Sequence, residues 1–211
     1  MAEAGCRLAL ILALDISSSV DAREDALQRG GLAAALVASE VVEAALSVPG
    51  EPVALAIFEW SGRYQQDMLL PWTLLTGPED LLTAAERIAT SKRSYAEFPT
   101  ALGYALGYAA GVFRDAPECL RKTIDVSGDG VNNDGFGPHL AYAHFPLDGV
   151  TVNGLAITGQ ADDLIDYYRR ELIRGPGAFV IEATSFADFE RAMREKLRRE
   201  MEAPVLGLNT R

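Results

Sequence analysis

The sequence predicts an α/β protein built on a doubly wound, mostly parallel sheet of six strands, with one antiparallel edge strand and helices on both faces. Two observations carry this. Apolar runs such as LALILAL and VALAIF show no inside–outside alternation, the mark of strands covered on both sides. Such runs alternate with segments of helical period in the order βαββαβαβαβα, the pattern of a sheet wound by crossover helices.

The first strand starts at Leu8 and ends at Asp15, where LALILALDISSSV turns abruptly polar. Val20–Leu46 reads as one helix. Asp21 suits its N-cap, and Leu27, Leu32, Leu36, Val37, Val41 and Val42 keep an apolar stripe, with Gly30-Gly31 a weak point that either kinks it or lets it pack closely. Pro49-Gly50-Glu51-Pro52 breaks the chain. Val53–Trp60 is a second buried strand. Asp67–Leu75 is a third, placed at an edge because Pro71 interrupts it. The short polar link Ser61–Gln66 suits an antiparallel hairpin between them. Pro78–Thr90 is helical, with Pro78 in the first turn. The polar and aromatic loop Ser91–Pro99 enters a helix over Thr100–Asp115. Its Gly103, Gly107 and Gly111 make a smooth face for close packing on a sheet or another helix; the segment is too short for membrane dimerisation. Arg121–Ser127 is the fourth strand, followed by a turn-rich loop over Val131–Pro138. His139–Phe145 is a short helix, Thr151–Ile157 the fifth strand, Asp162–Ile173 a helix, Ala178–Glu182 the sixth strand and Phe186–Met201 a terminal helix. No repeat or linker interrupts the 211 residues, which are expected to form a single domain.

Composition narrows the function. The net charge is −11, which argues against nucleic acid or an anionic membrane as partner, since both call for a basic surface. No run of about 20 apolar residues exists, so no membrane span is expected. LALILAL lacks the basic flank and cleavage site of a signal peptide. Ala4-Gly5-Cys6 is similar to a lipoprotein cleavage site, but Glu3 stands where an apolar residue belongs. An export signal is expected to have been removed ahead of Met1.

There are two cysteines. Cys6 lies nine residues before Asp15, and Cys119 ten before Asp129, in two strand–loop segments of the same layout. If those strands are parallel neighbours, both cysteines meet at the amino ends. A disulfide is then expected, and with it an oxidising, periplasmic or secreted location. The plainer alternative is two unrelated thiols.

The chemistry converges at the other end. In doubly wound sheets, ligands bind beyond the carboxyl ends of the strands. Three segments are expected there: Asp15–Ser19, Pro99-Thr100 and Gly128-Asp129-Gly130. Together they offer Asp15, Ser17, Ser19, Thr100 and Asp129, all hard oxygen donors of the kind that hold magnesium, manganese or calcium. Hydroxyls are neutral ligands, so such a cation stays electrophilic and seeks an outside anion, most naturally the Asp or Glu carboxylate of a protein partner.

D-x-S-x-S after the first strand, a threonine before a central helix and an aspartate–glycine after the fourth strand resemble the metal-ion-dependent adhesion site (MIDAS) of von Willebrand factor A domains. The resemblance covers almost the whole chain. LALDISSSVD, FEWSG, PWTLL and DVSGDGVNN resemble more closely a DUF1194-like bacterial group of such domains, uncharacterised in function and often carrying export signals. The resemblance implies a Rossmann-like fold and a metal-dependent protein-binding module, not an enzyme. One departure is visible: many relatives carry threonine before the final aspartate, where this chain has Gly128 and so lacks a hydroxyl. Glu59 and Trp60 lie at the end of the second strand, near the expected metal face. Glu59 is either a metal or ligand contact or, the favoured reading, a surface carboxylate. Asn132, Asn133 and Asp134 are read as turn formers that can line the partner surface.

Each feature has a plainer reading. Asp15, Ser17 and Ser19 also suit a capped turn, and Thr100 an N-cap. His139 and His144 lack the partners of a zinc site. No nucleophile elbow, dinucleotide fingerprint or Walker sequence occurs. The basic run RAMREKLRRE reads as a solvated helix face, with Glu190–Arg194 and Glu195–Arg199 at i,i+4 spacing. Two other functions compete: a magnesium-dependent phosphatase-like enzyme and a purely structural metal. The first requires a carboxylate two residues after Asp15, where Ser17 stands.

Overall fold

The computed structural model of the protein describes residues 5–159 and 163–202. The strands are β1 (Leu8–Asp15), β2 (Val53–Trp60), β3 (Gln66–Leu75), β4 (Lys122–Gly128), β5 (Val150–Ile157) and β6 (Val180–Ala183). They form one sheet in the order β3-β2-β1-β4-β5-β6, with β2–β3 the antiparallel pair and the rest parallel. β1 is central and buried over all eight residues. This is why its sequence is apolar without alternation. β3 lies at an edge, and its ladder with β2 slips where Pro71 and Trp72 pass Ala56.

The two faces of β1 differ. Leu8, Leu10, Leu12 and Leu14 meet α1 (Ala22–Leu36), α2 (Ser39–Ala45), α3 (Pro78–Thr90) and α7 (Phe189–Met201). Ala9, Ile11 and Ala13 meet α4 (Leu102–Val112), α5 (Pro138–His144) and α6 (Leu164–Tyr167). α6 runs on as a π-helical turn over Tyr168–Leu172. Buried Arg7, just ahead of β1, donates to Ala44, Ala45 and Met201 carbonyls, satisfying orphaned ends of α2 and α7.

Two expectations are corrected. The helix expected over Val20–Leu46 is two helices, broken where Ala38 is extended (ψ 137°). A straight helix of that length would run about 40 Å, past an eight-residue strand of about 26 Å. Gly31 stays helical and lets α7 come close, the second of the two roles expected of the glycine pair; a methyl there would stand 3.0 Å from Phe189. The glycine face of α4 packs closely on the two ends of α5, the helix contact that was one of the two expected. Gly103 is covered by the backbone and ring of Phe136, and Gly107 by the Phe145 ring. The terminal basic run is not wholly solvated. Glu190 pairs with Arg194, but Glu195 pairs with Arg191, and Lys196 is fully buried against Asp125 and Glu200. The predicted helix start at Asp162 lies outside the described residues.

The cysteine expectation holds. Cys6 and Cys119 form a disulfide, 4.4 Å between Cα atoms, at the amino ends of β1 and β4. Among the described residues no helix is long and apolar enough to cross a membrane.

Candidate metal centre

β1 delivers Asp15 to the carboxyl end of the sheet, fully buried. One oxygen, Oδ1, accepts the Ser17 backbone N–H at 2.7 Å. The other, Oδ2, is buried without a hydrogen-bond partner. The Ser17 and Ser19 hydroxyls lie 3.1 Å apart, and Ser19 donates to Asp129 Oδ1 at 2.7 Å. That bond ties the loop after β1 to the loop after β4. Thr100 is buried, and its hydroxyl faces Gly130, where a methyl would stand 3.6 Å away. The structure therefore gathers Asp15, Ser17, Ser19 and Asp129 in one hydrogen-bonded set, with Thr100 beside the Asp129 turn. Ser19 is exposed, so the set opens to the surface.

The electrostatics are uncompensated. Burial pushes the Asp15 carboxyl up to about 7, the nearby Asp129 charge adds to this, and hydrogen bonds from Ser17 oppose it. Asp129 is also raised, chiefly by burial. Among the described residues no three His, Cys, Asp or Glu side chains form a metal cage. The donors here are two carboxylates and three hydroxyls, a set that suits a hard divalent cation.

Two arginines hold this arrangement from behind. Arg93 donates to the Ile16, Ser17 and Val20 carbonyls at 2.7–2.8 Å, clamping the loop after β1. The Ser18 N–H donates to the Phe98 carbonyl at 2.8 Å. Glu59 accepts the Ser94 N–H at 2.9 Å and the Arg29 guanidinium, and Arg29 also reaches Asp25 and Ser91. Residues 91–94 are thus pinned at both ends, and they carry Arg93 to the ligand loop.

The family model described as a protein of unknown function, DUF1194, matches residues 5–205. The chain belongs to the DUF1194 family. Solved structures share its fold. Proximal thread matrix protein 1 from the mussel byssus, with a zinc-occupied MIDAS motif, aligns at TM-score 0.64 and 17% identity over 93% of this chain and 48% of that one. The von Willebrand factor type A protein from Catenulispora acidiphila aligns at 0.62 and 19% over 93% and 43%. An aerotolerance-related membrane protein from Bacteroides fragilis, mutated at several positions to serine, aligns at 0.57 and 19% over 91% and 99%. The DUF1194 chain spans about half the length of the first two. No curated protein matches it in sequence. The fold is that of von Willebrand factor A domains.

Several expected roles in this DUF1194 chain change. Glu59 is neither a ligand contact nor a surface carboxylate; it is fully buried and bound to Arg29 and Ser94. Trp60 is also fully buried, and its carbonyl accepts the Ile16 N–H. Asn132 and Asn133 form the turn as expected. Asn133 Oδ1 accepts the Thr100 N–H at 2.9 Å, and Asn132 Oδ1 accepts that of Gly103 at 3.4 Å. Sequence reasoning missed Arg29 and Arg93. Arg29 had a weak signal, Asp25 four residues earlier; Arg93 had none.

Proposed function

We propose that this DUF1194 domain is a divalent-metal-dependent protein-binding module. Asp15, Ser17, Ser19, Thr100 and Asp129 hold magnesium, manganese or calcium. The observation that carries this reading is the buried, unpartnered Oδ2 of Asp15 beside a hydroxyl-linked Asp129. A buried carboxylate oxygen without a donor is costly, and a cation removes that cost. When bound, the ion supplies an electrophilic centre for a partner's Asp or Glu carboxylate. Ser17 keeps Asp15 oriented, Ser19 keeps Asp129 in reach, and Arg93 fixes the loop between them. The zinc-occupied MIDAS of the mussel protein, on a similar fold, supports the reading. The domain acts by binding and not by catalysis, because Ser17 stands where a phosphatase carboxylate would. Its disulfide suits a periplasmic or secreted location.

Asp15→Ala and Asp129→Ala are each expected to abolish magnesium, manganese and calcium binding in calorimetry while circular dichroism stays unchanged. Wild-type affinity in either variant overturns the assignment. A pull-down with and without chelator then tests for a metal-dependent partner.

A pH dependence follows. Asp15 must be ionised to hold a cation, and its carboxyl lies at about 7. Magnesium affinity is expected to fall by up to about tenfold per pH unit below that value. Stability without metal runs the other way. The folded-state value lies above the usual 3.8, so ionisation opposes folding, and stability in chelator declines as pH rises from about 4 to about 7. Thermal melts in chelator and in magnesium at pH 5 and pH 8 check both; the metal-induced rise should be larger at pH 8.

A further inference from the structure

Gly128 removes the hydroxyl that the von Willebrand factor A resemblance leads one to expect beside the final aspartate. A different hydroxyl occupies that neighbourhood. A methyl on Gly128 would stand 2.7 Å from the Tyr168 hydroxyl and 2.7 Å from Asp15 Oδ2. Both atoms are buried and neither has a hydrogen-bond partner. Buried tyrosine hydroxyls ordinarily find one.

We propose that Tyr168 is a positioning residue of the metal centre, its hydroxyl steering the free oxygen of Asp15 across the space that Gly128 leaves open. The inference rests on the metal-binding reading above.

Two glycines make the slot. On β5, Gly154 pairs with Val126 of β4, two residues before Gly128. A methyl on Gly154 would stand 2.7 Å from the ring carbon Cδ2 of Tyr168. The ring lies over Gly154 and its hydroxyl reaches Gly128, so both bare positions are needed for this one side chain. Tyr168 also opens the π-helical turn after α6. Such turns insert an extra residue at an energetic cost and recur where a side chain must be aimed at a site. A tyrosine phenol is neutral near neutral pH and its O–H can donate. A neutral donor orients a carboxylate without adding charge that would compete with a cation.

The test uses the full chain and Tyr168→Phe, which keeps the ring in its slot and removes the hydroxyl. Magnesium affinity is read by calorimetry, and the melting temperature is read in chelator. The expected result is an affinity about tenfold weaker, the scale of losing a group that orients a metal ligand. The melting temperature in chelator stays at or above that of the wild type. An unchanged affinity overturns the proposal and leaves the metal site standing. A weaker affinity accompanied by a lower melting temperature in chelator also overturns it, since that marks a structural role. If the wild type binds no divalent cation, the metal reading fails and takes this inference with it.

Discussion

Lys196→Met is expected to destabilise the protein by about 3–5 kcal/mol at pH 8, the cost of stripping one partner from a buried ion cluster. Lys196 is fully buried. Its ammonium donates to Glu200 Oε1 at 2.7 Å and stands 2.8 Å from Asp125 Oδ1, an ion contact without hydrogen-bond alignment. Asn153 donates to the same Glu200 oxygen at 2.7 Å. Without the lysine, two carboxylates face each other in the apolar layer between β4, β5 and α7. Burial and the Glu200 charge already lift the Asp125 carboxyl, and Lys196 is what opposes them. In the variant Asp125 ionises less readily still. Its protonation relieves the repulsion, so the deficit should shrink as pH falls towards 5. Urea unfolding at pH 8 and pH 5 checks both the size and the trend. A loss below 1 kcal/mol at pH 8 would show the cluster to be dispensable.

Removing the disulfide ranks second. The double variant Cys6→Ala and Cys119→Ala frees a loop closed across 113 positions. The loop-entropy model gives about 4–5 kcal/mol for a loop of that size, with 2–5 kcal/mol usual for native bonds. Because the bond sits at the amino ends of β1 and β4, and the ligands at their carboxyl ends, metal affinity should not change. Denaturant midpoints of the oxidised, reduced and double-variant proteins give the energy. Calorimetry on the same samples tests the separation of the two ends; a weakened affinity in folded variant protein would contradict it.

The sheet was largely legible because a strand buried on both faces declares itself by composition. β2 and α3 begin and end where VALAIFEW and the Pro78 start place them. The metal candidates were legible for a related reason: each lies within a few residues of a strand end or helix start. What was not legible depends on distant partners. Glu59 ends an apolar run and so reads as the point where the chain meets water. Its counter-ion Arg29 is 30 residues away, and only the fold brings them together. Arg93 acts through its guanidinium on backbone carbonyls over 70 residues upstream, which no local pattern records. The buried Lys196 sits in a run of charges whose i,i+4 spacing equally describes a solvated face. The break at Ala38 answers to the length of the sheet, which no window along one helix contains.

The central place of β1 has a consequence for how the protein is made. Its two neighbours begin at Val53 and Lys122, and Ala9 pairs directly with Lys122. During synthesis the chain's most apolar segment emerges before both partners and waits more than 100 residues for the second. Pairings so remote in sequence are slow to form, because a large loop must close before any contact repays it. Over that interval LALILAL is an unprotected, sticky ribbon, the kind of segment that invites aggregation. The eight residues that set Asp15 in place are therefore also those with the greatest need of a chaperone's cover before β4 arrives.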